Sequence, residues 1–436
     1  MSPPSLSKTV VITDVYAPTR RLAPEFVKAG YEVVRVLSTP EPPRGYAVPF
    51  DMAGYKATIV HAGDLSATVE AVAAHRPAAV VAGGELGVEL ADQLSEALGL
   101  LTNGTALSTA RRDKYVMIEA VRAAGLRAAK QILVTDEEQL TAWHREVAGR
   151  IVVKPIRSAA GDGVSFCDTP EQAVAGYRAV VGAENVFDIR NEGVVAQEYL
   201  VGGEYIVDTV SRDGQHHVTD MWKYEKISAN GITDLTCGLR ILPRHGEVQD
   251  ELVPYCFDVL DALGIAHGAA HIEVKLTPGG PCVVEVGARM AGVDWPSYVR
   301  LAIGESQLEW IVDAAVRPER FAERWKDDYR LQRHFVSAMN CTTVGGRLRG
   351  YPKLAQVAAL ESFVEARQLV TPGGLLRPTV DDMTCPIIIN LMHEVEEIVV
   401  RDFGTVRYLD GAGFYELEDA HAVSVAGVAG GSGGGA

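Results

Sequence analysis

The segment HIEVKLTPGGPCVVEVGAR, from His271 to Arg289, constrains the fold most, because it reads as a hairpin that forces two carboxylates together. The turn residues TPGGP at 277–281 separate two stretches of period-2 alternation. A register symmetric about Gly279 pairs Ile272 with Val286, Val274 with Val284 and Leu276 with Cys282. These even positions form the expected buried face. The odd face carries His271, Glu273 and Lys275 on one strand and Glu285, Gly287 and Arg289 on the other, with Glu273 opposite Glu285. Like charges directly opposite on a sheet repel, so such a pair normally calls for a cation between them. A solvated hairpin, or a register slipped by a bulge, is the alternative reading of the same residues.

Far upstream, strand and helix alternate. An apolar run at 9–13, a helical pattern at 20–29 closed by Gly30, a strand at 32–37, a strand at 57–60, a helix at 65–75 and a strand at 78–82 follow one another. This βαβ rhythm predicts a parallel sheet covered by helices. No GxGxxG follows the first strand, which argues against a dinucleotide site. Glu85, after Gly83-Gly84, sits just past a strand end, where open α/β sheets place ligands, and is equally placed to be a carboxylate in a helix's first turn.

At 436 residues and 47% hydrophobic, the chain is long enough to bury substantial cores, and two or three domains of a soluble globular protein are expected. A formal net charge of −16 argues against nucleic-acid and anionic-membrane partners, and obliges an anionic ligand to find specific lysines, arginines or a metal. Six cysteines, at 167, 237, 256, 282, 341 and 385, form no CxxC pair and read as small core residues in a reducing compartment. The start, MSPPSLSKTVVITDV, lacks the charged leader and apolar length of a secretion signal, so the expected location is the cytoplasm.

Three further segments carry chemical signals. In Arg111-Arg112-Asp113-Lys114, Asp113 is placed to cap a helix running to about Ala124, which leaves Lys114 in the first turn. That is the wrong end for a cation by the helix dipole, so Lys114 is either exposed or faces an anion such as phosphate. Next, a strand at 151–153 ends in Lys154, followed by the loop IRSAAGDGVSF at 156–166. Its small residues Ser158, Ala159, Ala160, Gly161 and Gly163 let backbone amides approach an anion, and the bland alternative is an ordinary glycine-rich hairpin. Finally, VVAQEYLVGGEYIVDTV at 194–210 runs into Glu198-Tyr199-Leu200, turns at Gly202-Gly203 and re-emerges at Glu204, either as a hinge offering backbone groups to a flat base or as a plain hairpin.

In this order and spacing, the helix-starting lysine, the strand-end lysine with its small-residue loop, the QEYLVGGEY hinge and the EVK…VVEVGAR hairpin resemble the ATP-grasp superfamily over about residues 83–300. The resemblance implies an ATP-grasp fold preceded by a Rossmann-like parallel α/β domain. The expected division is 1–110 for that domain, 111–195 for a lid, 196–420 for the catalytic part and 421–436 for a flexible tail. Within the superfamily, AGGELGVELADQLSEALGL, RRDKYVM and EVGARMAGV are most similar to the L-amino acid ligases and related carboxylate–amine ligases.

The resemblance implies roles for particular residues. Lys114 and Lys154 contact ATP phosphates beneath the Ser158, Gly161 and Gly163 loop; Glu198, Tyr199 and Leu200 border the adenine; and Glu204 holds the ribose. Glu273 and Glu285 ligate Mg²⁺, with Mn²⁺ as an alternative, in one or two sites, and Arg289 steadies the transferring phosphoryl group. Gly287 departs from the commoner pattern, which carries an Asn there, and places a complete second metal site in doubt. The implied activity is ADP-forming amide-bond synthesis through an acyl phosphate from small-molecule carboxylate and amine substrates, most similar to joining two amino acids. A homodimer is the expected assembly. Glu85, Asp234, His271 and Arg289 are the expected substrate contacts, Asp234 lying in MWKYEKISANGITDLTCGLR at 221–240, which reads as two strands with a loop between them. There the simpler alternative is a solvated acid, and for His271 it is a histidine satisfied locally. His216-His217 read as hairpin-tip residues, while Trp222 and Trp295 either line a pocket or pack. The competing classes are another ATP-grasp activity, including one on a non-amino-acid carboxylate, and an ATP-binding regulatory protein without catalysis.

Overall fold

The computed structural model describes residues 8–16, 19–46, 48, 50–292 and 294–418; the tail expected over 421–436 lies outside the described residues. The chain divides into two compact units, Met1–Met221 with Pro243–Arg330, and Trp222–Leu242 with Leu331–Ala436.

The first unit opens with β1 (Thr9–Thr13), α1 (Leu22–Lys28), β2 (Glu32–Leu37), β3 (Tyr55–Val60), α2 (Leu65–Ala73), β4 (Ala79–Ala82) and α3 (Gly87–Ala97). The four strands are all parallel, in the order β3-β2-β1-β4, as the alternation predicted. β1, TVVIT, is buried at every residue, as a central parallel strand covered on both faces must be. Strand order reverses between β1 and β4, which creates the crevice where such sheets bind ligands. The loops ending those two strands meet there. A Cβ on Gly84 would lie 2.5 Å from the carbonyl oxygen of Asp14, so the turn that carries Glu85 closes on the end of β1 only because residue 84 has no side chain.

A second layer follows: α4 (Lys114–Ala123), β5 (Gln131–Val134), α5 (Glu137–Val147), β6 (Ile151–Pro155), β7 (Ser165–Cys167), α6 (Pro170–Val180) and β8 (Val194–Glu198). Its antiparallel sheet, ordered β5-β8-β6-β7, buries Val134, Ile151, Val153 and Ala196 against Leu140 of α5 and Ala173 and Val180 of α6. Thr169 and Gln172 form a capping box that starts α6.

The remaining elements of this unit include β9 (Gly203–Arg212), the start of β10 (Gln215–Ala229), and, after β11 (Ile232–Ile241), α7 (Glu247–Ala262), β12 (Gly268–Thr277), β13 (Gly280–Gly287), α8 (Trp295–Ile303), α9 (Gln307–Val316) and α10 (Pro318–Arg324). β13, β12, β9 and β10 neighbour one another in that order. Val10, Ile12 and Phe26 share a core with Met290, Trp310 and Phe321, which fixes the parallel sheet to this region.

The β12–β13 hairpin keeps Ile272 opposite Val286 and Glu273 opposite Glu285, but Val274 pairs with Val283 and Leu276 with Pro281. The symmetric register is therefore corrected. Thr277 pairs with Gly280 across a two-residue turn, the tightest hairpin connection, and a bulge at Val284 absorbs the leftover residue before the glutamates. Val283, not Val284, consequently enters the core. His216 and His217 are buried within β10 instead of standing at a hairpin tip. His216 Nδ1 lies 2.7 Å from Ser211 Oγ, and the His217 ring stacks on Trp310 at 3.5 Å.

In the second unit, the later part of β10 pairs with β11 across a turn at Asn230-Gly231, whose φ values are 54° and 82°. The two strands expected around a loop in 221–240 are β10 and β11, but the turn between them is short, so Asp234, read as a loop acid, stands on β11. Then come β14 (His334–Met339), β15 (Gly346–Gly350), α11 (Leu354–Ala358), β16 (Phe363–Gln368), β17 (Leu375–Leu376), β18 (Ile387–His393), α12 (Glu396–Leu409) and β19 (Glu416–Leu417). Val336, Ile387, Ile389, Val399, Val406 and Phe414 form its core, and the fully buried Trp222 meets Phe335 edge-on at 5.8 Å.

Because Gly84 has no space for a methyl group, Gly84→Ala is expected to cost about 1–3 kcal/mol by forcing β1 and the Glu85 turn apart, measured as a lower urea midpoint.

Candidate active site

The hairpin presents Glu273 and Glu285 opposite each other, both half-buried. Two lysines from other layers approach them. Asp113 caps α4 by accepting the amides of Tyr115 and Val116, which fixes Lys114 in the first turn as the sequence predicted. Its Nζ lies 2.9 Å from Glu285 Oε1 and donates to the Ser158 carbonyl oxygen at 2.7 Å. Lys154, at the end of β6, is buried; burial pulls its pKa down to about 8, Glu285 opposing that shift and Lys114 adding to it. Among the described residues, no three His, Cys, Asp or Glu side chains gather as a metal cage. Two carboxylates on a rigid hairpin nonetheless suit Mg²⁺, which is held by one or two carboxylates together with phosphate and water.

His271 shares the glutamates' face. Its Nδ1 meets Asp208 Oδ1 at 2.7 Å, Asp208 standing opposite it on β9, and its Nε2 lies 3.7 Å from Glu273 Oε1. Burial works against the imidazolium, but Asp208 and Glu273 outweigh it and raise the pKa to about 9. The Trp295 ring centre is 6.3 Å away.

Glu85 is the second focus. Its carboxylate takes Arg112 Nη1 on one oxygen and Arg289 Nε, at 2.9 Å, on the other. Burial alone would raise its pKa, yet Arg112, Arg289 and Lys114 hold it at about 2. Arg289 also donates to the Met290 carbonyl oxygen at 3.0 Å. A Cβ on Gly287 would sit 3.0 Å from Arg289 Cζ, so the bare backbone there leaves space for the guanidinium.

The hinge and loop are tied by local bonds. Glu198 Oε1 accepts the Lys130 amide at 2.8 Å. Tyr199 packs edge-on to Phe166 at 5.9 Å, with Arg150 Cζ and Lys275 Nζ 5.4 and 4.8 Å from its ring centre. Lys275 Nζ also donates to the Leu200 carbonyl oxygen at 3.2 Å and lies 3.5 Å from Glu204 Oε2, its register partner on β9. Ser158 Oγ donates to Asp162 Oδ2 at 2.6 Å, and Asp162 also accepts the Val186 amide at 2.9 Å, while Gly161 and Gly163 take φ of 73° and 70°.

The first unit thus gathers Lys114, Lys154, Glu273 and Glu285, joins Glu85 to Arg289, and sets His271 beside Glu273. Asp234 belongs to the second unit. Arg112, Asp208 and Lys275 were not singled out from the sequence. Lys275 and Asp208 had a signal, since both are charged residues inside strands, whereas Arg112 stood in a basic run that gave no indication of which member turns inward.

Folded His271 keeps its proton up to about pH 9, against 6.5 for an unperturbed imidazole. Its contribution is therefore complete below pH 6.5 and lost as pH rises through about 9, a loss on the order of 3 kcal/mol in the metal-free protein. Urea denaturation across this window is expected to show that decline in the wild type and a flatter one in His271→Gln.

Comparison with known proteins agrees with this geometry. The ATP-grasp domain family matches residues 147–297. Dapdiamide A synthase of Enterobacter agglomerans is 29% identical over 419 residues, covering 94% of this chain and 97% of the relative. Alanine–anticapsin ligase of Bacillus subtilis (strain 168) is 23% identical over 255 residues, covering 54% of this chain and 53% of the relative. The crystal structure of an L-amino acid ligase from Bacillus licheniformis superposes with a TM-score of 0.72 at 17% identity, covering 94% of this chain and 99% of that one. A parallel α/β layer precedes the carboxylate hairpin, and residues 147–297 carry an ATP-grasp domain.

Proposed function

We propose that the chain is an ADP-forming carboxylate–amine ligase that joins two amino acids through an acyl phosphate. The observation that carries this reading is the convergence of Lys114 and Lys154 on the facing Glu273 and Glu285, with Arg289 anchored nearby on the same hairpin by Glu85. Similarity to ligases named for alanine and for L-amino acids supports the substrate class.

A free carboxylate resists attack by an amine because its leaving oxygen is a strong base; phosphorylation supplies a better leaving group. The chain's task is to align the phosphoryl donor with the carboxylate and to keep water out. In this reading Lys114 and Lys154 hold the ATP phosphates under the 158–163 loop, which acts as the lid. The Tyr199–Leu200 backbone and Glu198 border the adenine, and Glu204 holds the ribose. Glu273 and Glu285 would hold Mg²⁺, or Mn²⁺, which when bound neutralises the phosphate charge. A second ion would rely on phosphate and water, because Gly287 offers no ligand. Arg289 steadies the transferring group and the tetrahedral intermediate. Glu85 and His271 border the substrate.

The six cysteines are free and buried, and no helix among the described residues is long and apolar enough to cross a membrane. A cytoplasmic location and a homodimer complete the reading, the latter open to light scattering. An ATP-binding protein without catalysis is disfavoured, since Lys154, Glu273, Glu285 and Arg289 are all present.

Phosphate release from Mg-ATP, screened over amino-acid pairs with mass spectrometry of the products, is expected to require both partners and to yield their condensed mass. Glu285→Ala is expected to lower kcat roughly 100-fold or more. Since Lys154 loses its charge as pH rises through about 8, ATP affinity should weaken above that pH in the wild type and persist in Lys154→Arg, as binding titrations at two pH values will show.

A further inference from the structure

Beside Glu85 and Arg289 lies a recess walled by aromatic rings that the chemistry above does not use. Tyr16, Tyr46, Phe187 and Met290 line it, and it opens to solvent. The Tyr16 and Tyr46 rings are stacked, 5.9 Å apart and 10° from parallel, and Tyr46 continues onto Phe187 at 5.9 Å. Arg112, already bound to Glu85, holds its guanidinium 5.9 Å from the Phe187 ring.

Tyr46 and Phe187 come from separate layers: Tyr46 from the segment after β2, Phe187 from the lid segment between α6 and β8. One residue joins them. Arg44 donates from Nε to Asp188 Oδ1 at 2.6 Å, from Nη2 to Glu184 Oε2 at 2.8 Å, and from its backbone amide to Asp188 Oδ2 at 2.7 Å. Asp188 follows Phe187 directly and stands in the left-handed region at φ 57°. Asn185 Oδ1 accepts the Phe187 amide at 2.9 Å and holds that turn. Arg44 is exposed, whereas Phe187 is buried.

We infer that Arg44 is a latch that closes Tyr46 against Phe187, and that these rings form the side-chain pocket for a substrate amino acid with an apolar side chain. This rests on the ligase reading. The chemistry of the recess selects the ligand: its walls are chiefly aromatic and aliphatic, while the guanidinium of Arg289, held by Glu85, stands in its lining as the group that meets the substrate's carboxylate. Closing the latch joins the N-terminal sheet's loop to the lid, so a filled pocket and a water-free acyl phosphate arise together. Arg44 touches no substrate and acts as a positioning residue.

The test is steady-state kinetics with Mg-ATP and amino acids of graded side-chain size, on wild type, Tyr46→Ala, Arg44→Ala and Arg44→Lys. Tyr46→Ala is expected to raise KM for the apolar partner by about 10-fold or more and to leave KM for ATP unchanged. Arg44→Ala should raise the same KM several-fold and release more than one phosphate per ligated product, as water intercepts the acyl phosphate; Arg44→Lys should restore part of both. Arg44 is exposed, so its variants report on the latch without a folding defect. If Arg44→Ala and Tyr46→Ala keep wild-type KM values and a one-to-one phosphate-to-product ratio, the latch is overturned and the ligase stands. Wild-type phosphate release that no amino acid stimulates would overturn the ligase reading and the latch with it.

Discussion

Glu273 and Glu285 stand opposite each other on paired strands, with Cβ atoms that in such a pair are about 5 Å apart, and neither can swing far without leaving the hairpin. Two carboxylates held so close remain charged only where cations answer them. The surrounding elements supply those cations from separate layers: α4 brings Lys114 to Glu285, and the end of β6 brings Lys154 behind it. Placing a lysine in a helix's first turn is unfavourable on its own account, because the amides there already carry partial positive charge. Together the helix start and the two lysines create a region suited to an anion of high charge density, beside carboxylates suited to a divalent ion. Hairpin, α4 and β6 depend on one another electrostatically before any ligand arrives.

A second balance of charge lies where the parallel sheet reverses its strand order. Glu85 reaches it because the turn after β4 packs tightly against β1, and the shared core of Val10, Ile12, Phe26, Trp310 and Phe321 holds the sheet at that place. Its carboxylate binds Arg112 and Arg289 at once, so it fixes the arginine that faces the hairpin's chemistry. A buried carboxylate with two guanidiniums is stable only as a set; removing the central member would leave two cations without an answer.

Much of this was legible in the residues. Alternation alone set out β1 to β4, the Asp113 cap placed Lys114, and the period-2 pattern put Glu273 opposite Glu285. The bulge was not legible as a position, because it follows from the turn closing on two residues instead of three, and the hydrophobic pattern fits Val283 and Val284 equally well. Asp234 and the two histidines at 216–217 were misplaced for a related reason: polar residues near Gly suggested loops, whereas here they occupy long strands whose polar groups find partners inside. Arg112 and Tyr46 were beyond local reading, since their roles arise from contacts with Glu85 and Phe187 that the chain brings together only on folding. The division at 110 and 195 remains a proposal about the chain's organisation.

Gly287 serves the site by what it lacks. Its missing side chain leaves Arg289 room beside the backbone, since a Cβ there would stand 3.0 Å from the guanidinium carbon. A side chain at 287 would oblige the guanidinium to yield by a few tenths of an ångström, so the residue that offers the metal no ligand is also the one that sets how closely Arg289 lies along the strand.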